Sequence, residues 1–313
     1  MFDKIVTVSL NPALDVTIWL DTMDFSEPNR AKREVVDAGG KAVNIARVLS
    51  SLGISSRALG LCGEDNARKF FSLLERDRVD YEFVELEGQT RENLTLVIPD
   101  QRVLKVNRAG FAVTIEGMKR LRAKIEEEIQ SVGKVLLIFA GSLPPNLTAD
   151  SYKAFLLSFR REGVYFALDN SFFHLSDIAE IQPFLIKPNL MEFRQMSGSD
   201  LRTEQSIVKL ARSLTDHVDH VLVSLGGKGM IYAGRENGCR IHTPQVAVRS
   251  TVGAGDTSLA AFLCAIQEGR SACDSAVFGV AAGTASVSLD GTGIVTREMV
   301  EEVLPRITVK GIR

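Results

Sequence analysis

One short segment combines an acidic side chain with two preceding glycines, an arrangement that can carry out chemistry on an anion. It is Ser250–Thr257, with the sequence STVGAGDT, and it follows a run, Val246–Val248, that we expect to be a strand. Gly253 and Gly255 allow backbone N–H groups to converge, and a helix that starts here would add about half a positive charge, so the loop suits a phosphate or a developing anion. Asp256 then has two interpretations, a helix cap or a general base that takes a proton from a substrate hydroxyl. The segment alone leaves both open.

Other phosphate-binding motifs are absent from the sequence. It contains neither a G-x-x-x-x-G-K-[ST] loop nor a strict G-x-G-x-x-G after a predicted strand, which disfavours P-loop enzymes and nicotinamide-dependent dehydrogenases. The formal net charge of −2 argues against a nucleic-acid partner, because binding a phosphate backbone requires a clustered excess of Lys and Arg. Any specificity for an anion must therefore come from a local site.

The cysteines and the N-terminal residues predict the compartment. The 4 cysteines lie far apart and form no Cys-x-x-Cys pair, so we expect neither a disulfide framework nor a zinc site, and we expect a reducing, cytoplasmic environment. The sequence has no run of about 18 apolar residues, and Met1 leads almost directly into a strand-like segment. We therefore expect no signal peptide and no membrane span.

The elements that would position the loop alternate between short apolar runs and longer stretches of helical periodicity. With 313 residues, of which 45% are hydrophobic, the chain can bury a large core as one domain, 1–313. The predicted strands, mostly near-continuous apolar runs, are Ile5–Leu10, Arg57–Leu61, Val135–Phe139, Tyr165–Asp169, Phe184–Lys187 and Val221–Ser224. The predicted helices are Val43–Leu52, Asn66–Arg76, Ile115–Gln130, Ala149–Arg161, Glu204–Leu214 and Thr257–Gln267. This alternation predicts an α/β fold with a mostly parallel central sheet and helices on both faces.

Two segments, about 12–37 and 85–108, do not follow this alternation of strands and helices. Both have the alternation of extended strands and are rich in Thr, Val and charged residues. Because a strand and a helix separate them, we predict a small discontinuous β-sheet that projects from the core as a lid. The basic residues in or beside these segments are Arg30, Arg91, Lys105 and Arg108, with Lys41 in the following glycine-rich turn. They could bind an acidic ligand, or they could be solvated charges on edge strands.

Five further motifs accompany the Gly253–Thr257 run, and they lie along nearly the whole chain. They are Asn11–Asp15, Gly39–Asn44, Gly141–Pro145, Lys187–Glu192 and Val223–Gly229. In this order the six motifs resemble those of the ribokinase/PfkB family of carbohydrate kinases, and six ordered motifs are far more specific than one glycine-rich loop. The Asn-Pro-x-x-Asp opening and Thr90–Leu94 resemble the phosphosugar branch of that family. The resemblance implies a ribokinase-like fold.

The resemblance also implies roles for individual positions of this chain. The catalytic positions are Asp256 and the backbone amides of Gly253, Ala254 and Gly255. The positions expected to bind the sugar phosphate are Asp15, Arg30, Gly39, Gly40, Lys41, Asn44, Arg91, Lys105, Arg108 and Ser142. The positions expected to bind the nucleotide are Lys187, Asn189, Glu192, Ser224, Gly226, Gly229 and Thr251. Asn189 and Glu192 are also expected to hold Mg²⁺, directly or through water.

The implied activity is transfer of the γ-phosphoryl group of ATP, with Mg²⁺, to a hexose phosphate, and fructose 1-phosphate is the expected acceptor. Tagatose 6-phosphate and fructose 6-phosphate remain alternatives, because the motifs are nearly shared. An unphosphorylated sugar or nucleoside would be favoured if Arg91 and Lys105 were dispensable. A different class, an inactive sensor of sugar phosphate and ATP, is disfavoured by an intact Asp256. The resemblance also implies a homodimer that pairs through the lid strands.

Overall fold

Strands and helices alternate along the chain, as the sequence pattern predicts. The computed structural model describes residues 1–98 and 103–312. Its strands are β1 (Lys4–Ser9), β2 (Ala13–Leu20), β3 (Ala31–Gly39), β4 (Arg57–Gly63), β5 (Asp80–Leu86), β6 (Arg91–Val97), β7 (Val103–Asn107), β8 (Val135–Ala140), β9 (Val164–Asp169), β10 (Leu185–Ile186), β11 (His220–Ser224), β12 (Met230–Gly234), β13 (Gly238–His242) and β14 (Thr308–Gly311). Its α-helices are α1 (Lys41–Ser51), α2 (Ala67–Arg76), α3 (Ile115–Gln130), α4 (Ala149–Leu157), α5 (Leu175–Ile181), α6 (Leu190–Ser197), α7 (Glu204–Ser213), α8 (Ala254–Gln267), α9 (Ala272–Ser286) and α10 (Arg297–Val303).

A ten-stranded sheet forms the centre of the molecule, in the order β14-β13-β12-β11-β10-β9-β8-β1-β4-β5. The strands from β11 to β5 in this order are parallel to their neighbours, whereas β12, β13 and β14 pair antiparallel at one edge. The predicted mostly parallel sheet is therefore confirmed. The connections turn in opposite directions on the two sides of β1, and ligands of such sheets bind beyond the carboxyl ends of the strands at this switch point.

Helices cover both faces of the central sheet, and this explains why the strand β8 is apolar at every position. All six residues of β8 are buried. Val135, Leu137 and Phe139 pack into the core that includes residues of α3 to α7, while the alternate residues pack into the core that includes residues of α1, α8, α9 and α10. A strand covered on both faces has no solvated side to carry polar residues. None of the helices within the described ranges is long and apolar enough to cross a lipid bilayer.

The smaller sheet has the strand order β3-β2-β6-β7, so its strands come from the two segments that the sequence analysis assigned to a lid. β2 pairs antiparallel with β3 and parallel with β6, and β7 completes the sheet. The second lid segment begins later than predicted, because residues 85 and 86 belong to β5 and pair with β4 in the central sheet. Residues 99–102 of that predicted segment lie outside the described ranges.

Three other expectations need correction. Cys239 of β13 and Cys273 of α9 form a disulfide, with 6.3 Å between their Cα atoms, although the sequence analysis expected none. Sequence spacing could not reveal this pair, because tertiary packing brings together residues 34 positions apart. The segment 246–248 is an irregular connection instead of the strand expected before the glycine loop. Helix α4 ends at Leu157, four residues before the predicted end at Arg161.

Candidate active site

A cavity of about 940 Å³ lies between the smaller sheet and the loops that follow the parallel strands. Its position agrees with the switch point of the central sheet. The residues of the sequence analysis that line it are Asp15, Gly40, Lys41, Asn44, Arg91, Lys105, Ser142, Lys187, Asn189, Glu192, Ser224, Gly226, Gly229, Thr251, Gly253, Ala254, Gly255 and Asp256. The structure therefore brings positions from six separate motifs to one concave site.

The N-terminus of α8 opens into this cavity. Gly253 precedes the helix with φ of 75°, in the left-handed region that favours glycine. The first helical hydrogen bond runs from the N–H of Thr257 to the carbonyl of Gly253, at 2.8 Å. The N–H groups of Ala254, Gly255 and Asp256 thus precede the intrahelical ladder, as at every helix start. They provide the predicted cluster of donors for an anion.

Asp256 is buried in the first turn of α8, with 6% of its surface exposed. Its Oδ2 accepts a hydrogen bond of 2.8 Å from Nδ2 of Asn44 on α1, so its side chain is engaged across the site and not as a helix cap. Burial and the nearby carboxylate of Asp169 raise the pKa of Asp256 to about 7, although Lys41, Asn44 and Lys187 oppose this shift. A carboxylate with such a pKa is a far better base near neutral pH than an exposed aspartate.

Asp169, at the end of β9, anchors two lysines beside this helix. Its Oδ1 lies 2.8 Å from Nζ of Lys41, and its Oδ2 lies 3.1 Å from Nζ of Lys187. Burial would raise the pKa of Asp169, but the two ammonium groups outweigh burial and lower it. A Cβ atom at Gly255 would lie 3.1 Å from Nζ of Lys187, so that ammonium group is directly beside the start of α8. Helix amides and a lysine thus converge on the same place.

The lid side of the cavity presents Asp15. Its Oδ1 accepts a hydrogen bond of 2.9 Å from Nδ2 of Asn93 on the neighbouring strand β6. Burial raises the pKa of Asp15, while Asn93, Arg47 and Arg91 act in the opposite direction. Gly39 does not line the cavity, but a Cβ atom there would lie 2.1 Å from Oδ2 of Asp15. Gly39 therefore leaves room for the carboxylate, which is a different role from the predicted contact with the sugar phosphate.

The four predicted lid cations divide into two pairs. Arg91 and Lys105 line the cavity, and Nη2 of Arg91 donates a hydrogen bond of 3.2 Å to the carbonyl of Asn11. Arg108 instead pairs with Glu92 at 3.1 Å and lines a separate cavity of about 500 Å³. Arg30 lies exposed in the connection before β3. Within the described chain, Arg30 and Arg108 therefore do not line the main cavity. Each lies in a connection next to a lid strand and not on the strand itself.

Asn189 and Glu192 form a reciprocal cap at the start of α6. Oδ1 of Asn189 accepts from the N–H of Glu192 at 2.9 Å, and Oε2 of Glu192 accepts from the N–H of Asn189 at 2.8 Å. The other carboxylate oxygen of Glu192 lies 3.3 Å from Nζ of Lys41. Among the described residues no group of three acidic, His or Cys side chains could hold a metal alone. Because these oxygens are already engaged, the donor set suits a divalent metal ion that keeps its own water molecules.

A comparison with protein families identifies the class to which this cavity belongs. The family model of the pfkB family carbohydrate kinases matches residues 9–298. The chain belongs to the pfkB family of carbohydrate kinases. Membership makes this pfkB kinase a phosphotransferase, with ATP as the phosphoryl donor and typically a divalent metal. The family, the fold and the enzyme class predicted from the six motifs are thereby confirmed.

The relatives of this pfkB kinase are similar over its full length. The 1-phosphofructokinase of Vibrio cholerae is 30% identical over 317 residues, which cover 100% of this chain and 98% of the relative. The 1-phosphofructokinase of Bacillus subtilis is 28% identical over 307 residues, with 97% and 99% covered. Phosphofructokinase-2 of Escherichia coli, solved with substrates and products, has a TM-score of 0.89 at 26% identity, and 97% and 99% of the two chains are covered. These similarities confirm the predicted phosphosugar branch.

Some side chains in or directly beside the kinase cavity were given no role from the sequence. Asp169 was recognised only as the end of a strand, although an acidic residue at the carboxyl end of a buried strand is a signal of a site. Asn93 holds Asp15 by a side-chain bond. Thr17 and Thr95 line the cavity from the inward positions of β2 and β6. The sequence showed that residues alternate between the two faces of the lid strands, but it did not show which of the two faces lines the cavity.

Proposed function

We propose that this pfkB kinase transfers the γ-phosphoryl group of ATP to fructose 1-phosphate and forms fructose 1,6-bisphosphate. One observation carries the proposal: the cavity has a buried carboxylate at a helix N-terminus at one end and the cations Arg91 and Lys105 on the lid side. The cations suit the phosphate that the substrate already carries. The carboxylate, Asp256, suits the hydroxyl that becomes phosphorylated.

The acceptor is held mainly from the lid side. In the proposed complex, Asp15 accepts a hydrogen bond from a sugar hydroxyl, and Asn44 donates one to another. Ser142 lines the pocket beside them. Arg91 is anchored through its bond to the carbonyl of Asn11, so its guanidinium is partly fixed before the substrate arrives. Such positioning supplies much of the rate enhancement in phosphoryl transfer, because it removes the need to order the reactants in the transition state.

Proton transfer and charge stabilisation come from the start of α8. As the acceptor oxygen forms its bond to the γ-phosphorus, the bond to the bridging oxygen of ADP breaks, and the hydroxyl proton passes to Asp256. The amides of Gly253 to Asp256 and the ammonium group of Lys187 stabilise the transferring oxygens. Because the raised pKa of Asp256 is near neutrality, the carboxylate can accept the proton and later release it to solvent.

The nucleotide is assigned to the opposite side of the cavity. Ser224, Gly226, Gly229 and Thr251 line this part, and Lys187 lies between it and the acceptor. Asn189 and Glu192 would contact a Mg²⁺ ion through its water molecules, since their own oxygens are engaged in the cap of α6. The ion, when bound, neutralises charge on the phosphates of ATP.

Fructose 6-phosphate is the second candidate acceptor. A structural relative with a TM-score of 0.87, the Escherichia coli phosphofructokinase-2, was solved in complex with fructose 6-phosphate. The described cavity recognises a phosphate on one side and a hydroxyl on the other, and the two ends of a ketohexose differ little in shape. Tagatose 6-phosphate presents the same chemistry and belongs in the same comparison.

The test is ATP-dependent release of ADP with fructose 1-phosphate, fructose 6-phosphate, tagatose 6-phosphate, fructose and ribose as acceptors. We expect the highest kcat/KM with fructose 1-phosphate and near-background turnover with the two unphosphorylated sugars. The control is Asp256→Asn, which should lose activity with every acceptor. Turnover of fructose or ribose at the same kcat/KM as the phosphosugars would exclude a substrate phosphate at Arg91 and Lys105. A preference for fructose 6-phosphate would establish the second candidate.

We further propose that the kinase is a single-domain enzyme that pairs through its lid sheets as a homodimer. The strand β7, at one edge of the lid sheet, exposes Val103, Leu104 and Val106, so pairing would bury apolar side chains that a monomer leaves in water. Sedimentation equilibrium of the wild type and of Leu104→Lys tests the dimer. A monomeric wild type at micromolar concentration would refute it.

A further inference from the structure

We propose that Arg47 is a positioning residue for the catalytic base, acting through the side-chain amide of Asn44. This inference rests on the proposed function, in which Asp256 accepts the hydroxyl proton. Arg47 lies outside the residues that line the cavity, one helical turn after Asn44 on α1. Its guanidinium contacts Asn44 and also donates to Oγ1 of Thr292, but it has no direct hydrogen bond to Asp256 among the described residues.

The guanidinium group of Arg47 is buried and held on several sides. Only 2% of the residue is exposed. Its Nε donates to Asp77 at 2.6 Å, and its Nη1 donates to the carbonyl of Ala38 at 3.0 Å. Nη2 lies 3.5 Å from Asp37 at the base of lid strand β3. These contacts fix the group against α2 and β3, so it has a defined place from which to orient its neighbours.

The same Nη1 is 3.4 Å from Oδ1 of Asn44, and Nδ2 of Asn44 donates to Asp256 at 2.8 Å. A guanidinium can only donate hydrogen bonds, and an ionised carboxylate can only accept them. The amide of Asn44 therefore fits between Arg47 and Asp256 in one orientation. If it were flipped, its NH₂ group would face the guanidinium and its oxygen would face the carboxylate.

This orientation has a consequence for the charge of the base. A hydrogen bond donated to a carboxylate favours the ionised form, whereas an amide oxygen in the same place would accept from a protonated carboxyl and favour the acid. Arg47 thus keeps Asp256 in the form that can take a proton. The other charged groups facing Asp256 are Asp169, Lys41 and Lys187, on β9, on α1 and after β10. We expect them to stay in place when Arg47 is changed, because Arg47 contacts none of the three.

The experiment compares Arg47→Met with Arg76→Met in the folded, full-length enzyme. Arg76 is the matched control, because it also pairs with Asp37 at 2.8 Å and Asp77 at 2.9 Å but does not contact Asn44. We expect Arg47→Met to shift the acid limb of the pH profile of kcat to higher pH by about 0.5 to 1 pH unit. A shift of this size corresponds to the free energy of one hydrogen bond. At pH 7 this shift corresponds to a loss of about threefold in kcat, recovered near pH 9.

The KM for ATP should be unchanged in Arg47→Met, and Arg76→Met should keep the wild-type profile. In the background of Asn44→Ala, Arg47→Met should shift the profile no further, because its effect passes through Asn44. Equal shifts in the Arg47 and Arg76 variants, or an unchanged acid limb in Arg47→Met, would overturn the proposal. The acceptor KM is expected to change in Asn44→Ala, which separates binding from positioning.

Two further measurements keep the test decisive. If Arg47→Met does not fold, Arg47→Lys retains the positive charge beside Asp77, and it should show a smaller shift in the same direction. If neither variant folds, the side-chain amide protons of Asn44 in the wild type should shift in NMR spectra as Asp256 titrates; protons that do not respond would overturn the proposal. An active Asp256→Asn enzyme would instead refute the proposed base, whatever Arg47 does.

Discussion

Replacing Asp256 with Asn should abolish most activity and, at neutral to alkaline pH, make the protein more stable. The substitution preserves size and removes only the titrating group. Losing a general base typically lowers kcat by about 10²–10⁴-fold. The nucleotide side of the cavity is built from other residues, so the affinity for ATP should change little. Lower activity together with higher stability is the result expected when a buried catalytic carboxylate is replaced.

The gain in stability follows from the raised pKa. Asp256 has a pKa of about 7 in the folded protein against 3.8 for the free side chain. Between these values the unfolded chain has lost a proton that the folded chain retains, so the wild type loses about 1.4 kcal/mol of unfolding free energy per pH unit as the pH rises. The side-chain amide of the variant cannot titrate. We therefore expect Asp256→Asn to match the wild type near pH 4 and to exceed it by about 2–4 kcal/mol above pH 7.

The assay is urea denaturation of both proteins at pH 4.5, 6 and 8, combined with the pH profile of kcat for the wild type. The kcat of the wild type should fall about tenfold per pH unit below pH 7, as the base becomes protonated. A variant that is less stable by about 1 kcal/mol at every pH would instead indicate a helix-capping role. Wild-type kcat in the variant would refute Asp256 as the base.

Four other substitutions, of which Arg108→Met is a control, test the rest of the site. Lys105→Met should raise the KM for the phosphosugar at least tenfold without changing the KM for ATP, while Arg108→Met, outside the cavity, should change neither; equal effects would refute the division of the lid cations. Gly39→Ala should displace the carboxylate of Asp15 and raise the acceptor KM, measured by the release of ADP, and an unchanged KM would refute the role of Gly39 in placing that carboxylate. Lys187→Met should lower kcat at least a hundredfold, and a loss confined to the KM for ATP would assign it to binding alone.

The sequence predicted the parallel core because its signals are local. Val135–Phe139 is apolar at every position, and only a strand covered on both faces requires this. The limits of α3 were predicted to the residue, since Thr114 caps its start and its apolar residues recur at helical spacing. Helix α4 ends earlier than predicted, however, because the residue at which this helix stops depends on packing rather than on periodicity.

The candidate site was predictable where a motif requires an unusual backbone or a charged residue next to glycine. Gly253 and Asp256 are such positions, and the structure places both at the start of α8. The disulfide between Cys239 and Cys273 was not predictable, since no short-range pattern connects the two residues. The division of the lid cations also escaped prediction, because the end of β7 at Asn107, which places Lys105 on the strand and Arg108 in the connection after it, has no clear signal in the sequence.

The sequence by itself determined the parallel core, the family and many of the polar residues that line the cavity, because these depend on periodicity and on ordered motifs. Tertiary structure alone decided which of those residues act on one another. Asp169 gains two lysine partners, and Asn44 is held between Arg47 and Asp256, through contacts that span up to 212 positions of the chain. The physical reason is that burial and charge proximity set a pKa, and both arise only when distant segments pack together.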